Sequence, residues 1–202
     1  RYLNQSLEEL PSRERFLEIG CGNGFFLKQA KQTFRKVYGV EPSKESVESA
    51  DPEIKKLIIN DIFKKNQFKK NFFDLIVLFQ VIDHLPYPNE LLKECFKILK
   101  PGGCVLSINH NVSSLSARLL GESSPIFDIE HTYLYDKNTL SKLFKNNSYQ
   151  IIGVFDVANF YPLSYWLRMF PLSKKLKELV FRVTEILKIS GFRFWLNAGN
   201  IG

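Results

Sequence analysis

No stretch of this sequence approaches the ~20 uncharged apolar residues that a bilayer-spanning helix needs. The chain therefore reads as soluble, or at most peripheral to a membrane. Arg1 to Leu10 alternates polar and apolar residues and lacks the apolar core of a secretory signal. Cysteine is scarce: Cys21, Cys95 and Cys104 are odd in number and show no Cys-x-x-Cys spacing, which argues against a disulfide framework or a zinc knuckle. The expectation from these absences is a protein of the reducing cytoplasm. Internal repeats and low-complexity runs are also missing.

What is present is ordinary globular composition, 45% hydrophobic and 24% charged. A length of 202 residues suits one domain able to bury roughly two-thirds of its unfolded surface. The net charge of +7 suggests nucleic acid until it is divided along the chain. From Pro162 onward, Arg168, Lys174, Lys175, Lys177, Arg182, Lys188 and Arg193 face only Glu178 and Glu185, a net +5, which leaves +2 for the first 161 residues. The body of the domain thus offers no broad phosphate-binding surface, and no nucleic-acid partner is expected.

Short apolar runs alternate with amphipathic stretches, the pattern of a parallel sheet covered by helices. Strands are expected at Arg15–Ile19, Lys36–Glu41, Lys56–Asn60, Phe72–Phe79, Gly103–Asn109 and Tyr149–Val157. Helices are expected at Gly24–Phe34, Ser43–Ala50, Asn89–Leu99 and Asp136–Asn146, the last capped by Asp136. Pro162 to Ser190 then breaks the alternation with two helical stretches split by Pro171, the second carrying Leu176, Val180, Val183 and Leu187 on one face. Residues 1–158 read as a cofactor-binding core, 159–192 as a helical insertion or lid, and 193–202 as the start of a last strand that the sequence cuts short.

Chemistry enters where Phe16-Leu17-Glu18-Ile19 runs into Gly20-Cys21-Gly22-Asn23-Gly24. Three glycines directly after a buried strand and before a helix allow a tight turn, and let a ligand reach main-chain N–H groups that a Cβ would obstruct. The third glycine comes one position too early for the nicotinamide dinucleotide fingerprint Gly-x-Gly-x-x-Gly. Glu41, about 20 residues beyond the first glycine, ends the second strand where an acidic side chain can accept both hydroxyls of a ribose. Asp61, closing the third strand, is positioned for an adenine amino group, although a strand-end aspartate also serves as a plain turn former.

In these features the sequence resembles the class I S-adenosylmethionine-dependent methyltransferases. Glu18 to Gly24 is similar to the family's first motif, Val40-Glu41-Pro42-Ser43 to its ribose-binding strand end, Asp61-Ile62 to its adenine contact, and Phe73 to Val77 to its fourth strand. Leu99 to Gly103 resembles the turn before its fifth, so the likeness runs in order from about Glu14 to Gly153. The resemblance implies a Rossmann-like, mostly parallel seven-stranded sheet in the order 3-2-1-4-5-7-6, with helices on both faces and the helical insertion between strands 6 and 7. It implies S-adenosylmethionine as donor, S-adenosylhomocysteine as product, and cofactor contacts at Glu18, Gly20, Cys21, Gly22, Asn23, Gly24, Glu41, Pro42, Asp61, Ile62, Phe79 and Gln80.

Gln80 to Leu85 and His131-Thr132-Tyr133 resemble the branch acting on small molecules, quinones and sugars, not the base-modifying enzymes that carry Asn/Asp-Pro-Pro-Tyr/Phe after strand four. The expected function is methyl transfer to a small acceptor, by positioning with histidine help as general base. His131 is the first candidate, His84 the second in the assigned catalytic pair, and His110 an outside candidate; each could equally hold a loop. The alternatives are a methyltransferase acting on RNA or protein, and a silent module that binds the cofactor without turnover.

Some quinone-type relatives show Glu-x-x-Glu-His with a divalent ion. Here Gln80 and Asp83 stand at the carboxylate positions, and the lost charge argues against a hard-cation site, so no metal is expected. The aromatics Tyr161, Tyr165, Trp166 and Phe170 around Arg168 suit a pocket cap, a packed or dimerising pair of helices, or, with the basic helix that follows, peripheral contact with an anionic membrane.

Overall fold

The computed structural model describes residues 7–124, 126–169 and 172–202. Phe170 and Pro171, expected to cap the pocket and to split the two late helices, lie outside them.

Alternation of side chains builds the domain. In β1 (Arg15–Ile19) and β4 (Phe73–Phe79), Leu17, Ile19, Ile76 and Leu78 point into one core. Their neighbours Phe16, Leu75 and Val77 point into the other. Strands buried on both faces need continuous apolar sequence, and Leu75 through Leu78 are wholly buried. The first core receives α4 (Pro88–Ile98) through Leu91, Leu92, Cys95 and Ile98, and, beyond the short α5 (Leu115–Leu120), α6 (Lys137–Asn146) through Leu140 and Phe144. The second receives α1 (Phe25–Ala30) through Leu27 and Ala30, and α3 (Pro52–Lys55) through Ile54. The capping box at α6 is complete: Thr139 N–H donates to the Asp136 side chain at 2.7 Å, and Asp136 N–H donates to Thr139 Oγ1 at 2.9 Å.

The described strands form one seven-stranded sheet in the order β3-β2-β1-β4-β5-β7-β6, as expected, with helices on both faces. Neighbours from β3 (Ile58–Ile59) and β2 (Lys36–Val40) through β5 (Leu99–His110) run parallel, while β7 (Arg193–Ile201) is antiparallel to both β5 and β6 (Asp156–Pro162). Gly39 sits in β2, and α2 (Lys44–Glu48) follows it. At the opposite end of the sheet from the glycine loop, the fully buried Asp74 accepts hydrogen bonds from Arg15 N–H and Lys100 Nζ, both at 2.7 Å, and from Ser12 Oγ.

Three elements differ from the sequence reading. The third strand is two residues long, because Asn60 turns its side-chain amide onto the carbonyls of Glu41 (2.8 Å) and Pro42 (3.2 Å) where a ladder would continue. The sixth strand runs Asp156–Pro162 and not Tyr149–Val157. Tyr149 instead anchors the earlier segment, donating to the Leu92 carbonyl at 2.8 Å and packing on Phe96 and Phe144, while β6 lies where β7 stands opposite it, from Asp156↔Ile201 to Pro162↔Arg193. Residues 159–162 thus belong to the sheet, and the insertion comprises α7 (Leu163–Met169) and α8 (Lys174–Ile186). The stripe on α8 is not covered: Leu176, Val183 and Leu187 are exposed and Val180 half-buried. The last segment forms a nine-residue strand, β7.

Candidate functional site

The loop after β1 lies at the C-terminal edge of the parallel strands, where open α/β sheets bind ligands. Gly20, Gly22 and Gly24 all have positive φ, 73°, 53° and 73°. A Cβ on Gly20 would stand 2.6 Å from Val81 Cγ2, so this glycine lets the loop press against the end of β4. A Cβ on Gly22 would meet nothing within 4 Å, so its surface is open. Cys21 is buried, and burial, reinforced by the nearby Glu18 and Glu41 charges, pushes its thiol up to about 12, so it packs and does not react. Asn23 is exposed and its Oδ1 accepts the Phe25 N–H at 3.2 Å.

Two carboxylates flank the loop. Glu41 accepts the Gly22 N–H on Oε2 and the Ser43 N–H on Oε1, each at 2.8 Å. Each oxygen keeps a further lone pair, which a vicinal diol could use. Glu18 is 3% exposed, and its Oε2 has no hydrogen-bond partner. Burial, with a smaller push from Glu41, raises its pKa to about 8. Such a group is ready for a cation.

Asp61 does not point freely: its Oδ1 accepts Ile62 N–H at 2.8 Å and its Oδ2 pairs with Lys64, which holds its pKa below the usual range. Ile62 is 65% exposed, an apolar side chain lying open beside the loop's neighbour strand. Pro42 is exposed, and Phe79 is half-buried with its ring edge-on to Phe26 at 4.7 Å. Gln80 follows β4 directly with φ 53°, its Nε2 donating to Asn200 Oδ1 at 3.1 Å and its Oε1 buried without a partner. A strained, non-glycine strand end with an unsatisfied polar atom marks a site.

Beyond Gln80, the 3-10 turn Ile82–His84 carries the second half of the site. The Thr132 and Tyr133 N–H groups both donate to the Asp83 carbonyl, at 2.8 and 3.2 Å, which docks the loop after β5 on this turn. His84, His131 and His110 consequently stand in a row, with ring centroids 4.7 Å apart from His84 to His131, tilted at 48°, and again 4.7 Å from His131 to His110, edge-on at 65°. The Nδ1 of His84 lies 3.1 Å from the Glu130 carbonyl oxygen, and that of His131 2.8 Å from the Ile126 carbonyl oxygen. A carbonyl only accepts, so each Nδ1 carries a hydrogen and each neutral ring keeps its lone pair on Nε2. Burial lowers the pKa of His110. Asp83, His84 and His131 each offer a metal-ligand atom, and these atoms lie within 4.8 Å of one another.

The expected residues therefore fall into two groups on one edge of the sheet, the glycine loop with both glutamates and the histidine row, joined where Gly20 meets Val81. Sequence reasoning missed Asn60, which braces Glu41, and Asn200, which holds Gln80 from β7.

A family model described as a methyltransferase domain matches residues 1–154. The ubiquinone biosynthesis O-methyltransferase of Shewanella sp. (strain ANA-3) is 23% identical over 116 residues, covering 54% of this chain and 49% of that protein. The chain thus spans about half the length of the curated relatives it matches. A SAM-dependent methyltransferase from Archaeoglobus fulgidus shares the fold at TM-score 0.62 and 18% identity, covering 98% of this chain and 88% of the other. So does the [4+2]-cyclase SpnF, at TM-score 0.63 and 15% identity, covering 98% of this chain and 76% of the other.

Proposed function

Because the chain belongs to the methyltransferase-domain family, of the class I S-adenosylmethionine-dependent type, we propose that it transfers a methyl group from S-adenosylmethionine to a small-molecule acceptor such as a quinone, a sugar or a lipid-linked metabolite. The observation that carries this reading is the junction at Gly20 and Val81, which sets the glycine loop directly beside the turn bearing His84, on which the loop of His131 docks. The cofactor supplies an electrophilic methyl on a sulfonium. The residues present fit it: the unpartnered Glu18 Oε2 suits its cationic end, the open face of Gly22 gives it room, and Glu41 suits its ribose diol. Asp61 and Ile62 are assigned to the adenine, with Ile62 against the ring, and Lys64 must yield Asp61 for an amino-group contact.

Direct transfer is chiefly a matter of alignment, which can contribute ~7–11 kcal/mol, while a base adds roughly 10²- to 10⁴-fold in rate. His131 Nε2 is assigned to take the proton of an acceptor hydroxyl, with His84 beside it.

The exposed Leu179, Val183, Ile186, Leu187, Phe192 and Trp195 lie among Lys174, Lys175, Lys177, Arg182, Lys188 and Arg193, a composition suited to an anionic membrane surface that would present a lipid-linked acceptor. Sedimentation with anionic vesicles tests this. Binding should weaken with salt and with Lys174→Glu/Lys175→Glu. Concentration-dependent self-association without vesicle binding would assign the face to a second copy instead.

The function itself is tested by calorimetric titration with S-adenosylhomocysteine in parallel with NAD, then by following labelled methyl into metabolite, lipid, RNA and protein fractions. Binding of S-adenosylhomocysteine alone, with label in a small molecule, is the expected result. Label in RNA or protein refutes the acceptor class, and a folded protein that binds neither ligand refutes the reading altogether.

A further inference from the structure

The histidine row contains a donor set that methyl transfer by alignment does not require. Asp83 is 1% exposed, yet among the described residues no lysine or arginine pairs with it. Its carboxylate receives two long hydrogen bonds, from Asn109 Nδ2 at 3.4 Å and from His110 N–H at 3.5 Å. A buried carboxylate so weakly compensated is costly unless a cation meets it. The imidazoles of His84 and His131 stand beside it with their Nδ1 atoms committed to backbone carbonyls. A second hydrogen bond of this kind fixes the tautomer and orients metal-binding histidines.

The quinone-type resemblance points to a hard cation held by two carboxylates and a histidine, and the residues here do not fit it. Gln80 is neutral at the first position and its amide is turned to Asn200. What the chain brings together instead is one carboxylate and two ring nitrogens, the second from a loop about fifty residues downstream, all within 4.8 Å. Metal–ligand bonds of ~2.0–2.2 Å in tetrahedral geometry place ligand atoms about 3.4 Å apart, so side-chain rotations that move these atoms by roughly an ångström would close the set. Two imidazoles and a carboxylate favour borderline ions of the zinc class over magnesium, which prefers six oxygens.

We propose that Asp83, His84 and His131 form a binding site for one divalent transition-metal ion of the zinc class. The ion would offer the acceptor an open coordination position and lower the pKa of an oxygen bound there. Metal and proton compete for the same Nε2 lone pairs, so an ion-loaded His131 orients the acceptor and does not act as base. Ion binding is distinguishable from cofactor binding, because the three ligands lie outside the glycine loop, and where the ion is bound it replaces the base role proposed for His131.

The test is calorimetric titration of chelator-stripped full chain with zinc chloride, alongside magnesium chloride, with visible absorption of the cobalt-loaded protein as a second readout. The expected result is one zinc per chain, at least tenfold weaker in His131→Gln and in Asp83→Asn, cobalt d–d bands that both variants lose, and no uptake of millimolar magnesium. S-adenosylhomocysteine affinity, measured on the same samples, reports folding and scores the cofactor reading separately. Absent zinc uptake in protein that still binds S-adenosylhomocysteine, uptake equal in wild type and both variants, or a preference for magnesium would each overturn the proposal.

Discussion

If Glu18 meets the donor as proposed, cofactor binding is proton-linked. Its pKa of about 8 leaves the carboxyl about nine-tenths protonated at pH 7, and ionising it there costs about 1.4 kcal/mol. If the cationic end of S-adenosylmethionine meets the orphaned Oε2, the bound complex holds the carboxylate ionised, and binding at pH 7 expels close to one proton. Affinity should therefore climb about tenfold per pH unit from 6 to 7 and level off above 8. Calorimetry in phosphate and in Tris at the same pH reads the proton directly, since the two buffers differ widely in ionisation enthalpy. Glu18→Gln removes the titrating group: its binding enthalpy should not depend on the buffer, and its affinity should be flat across this range and below wild type at pH 8.5. The free protein gives an independent check. A carboxyl whose pKa is higher folded than unfolded stabilises the fold at low pH and loses that contribution as pH rises from about 4.5 to about 8. The urea midpoint of wild type should fall through this window relative to Glu18→Gln. Buffer-independent enthalpy together with flat affinity in wild type would refute the pairing of Glu18 with the cofactor.

Gly22→Arg should abolish S-adenosylhomocysteine binding while the circular dichroism spectrum stays native, because the space above Gly22 is open and the substitution fills only that space. Gly22→Ala, strained at φ 53° but unobstructed, should lower stability by about 1 kcal/mol, whereas Gly20→Ala should lose more because its Cβ meets Val81 at 2.6 Å. Asp74→Ala leaves Lys100 without its partner and should cost ~3–5 kcal/mol in urea unfolding. Burial alone would raise the Asp74 pKa, but Lys100, Ser12 and the Arg15 N–H together hold it below the usual range, so its contribution is present above the ordinary aspartate pKa and fades as pH falls through the lower folded value. His131→Ala should reduce turnover on an identified acceptor at least tenfold without altering S-adenosylhomocysteine affinity, and full turnover would remove His131 from the chemistry.

The fold was legible wherever local pattern and tertiary demand coincide. Leu75 to Leu78 is apolar without alternation because both faces of β4 are covered, and that run can be read before any contact is known. Asp136 caps the start of α6 as its place before the helix predicts, and Thr139 completes the capping box. Legibility failed where pairing overrides propensity. Tyr149 to Val154 has the composition of a strand, but no residue of β7 lies opposite it, and Tyr149 gains more by reaching Leu92 and the aromatics of α4 and α6. On α8 the sequence shows the apolar stripe, but periodicity says only that a face is apolar and not that the same chain covers it.

The two halves of the site differ in the same way. The half proposed for the cofactor is a local object: one strand, five loop residues and a glutamate just past the end of the next strand, so sequence spacing nearly determines the geometry. The histidine half is assembled from three segments that share no spacing, the turn at Asp83–His84, the end of β5 at His110 and the loop at His131. Backbone groups bring them together, chiefly the Thr132 and Tyr133 N–H groups on the Asp83 carbonyl, and main-chain donors leave no mark in a sequence. Within the motif itself, Gln80, Asp83 and His84 lack one carboxylate. Folding supplies the third ligand from elsewhere, and with a nitrogen in place of an oxygen it changes which ion the cluster suits. A short motif that has lost one ligand need not have lost its metal, because the replacement can come from any segment the fold docks beside it.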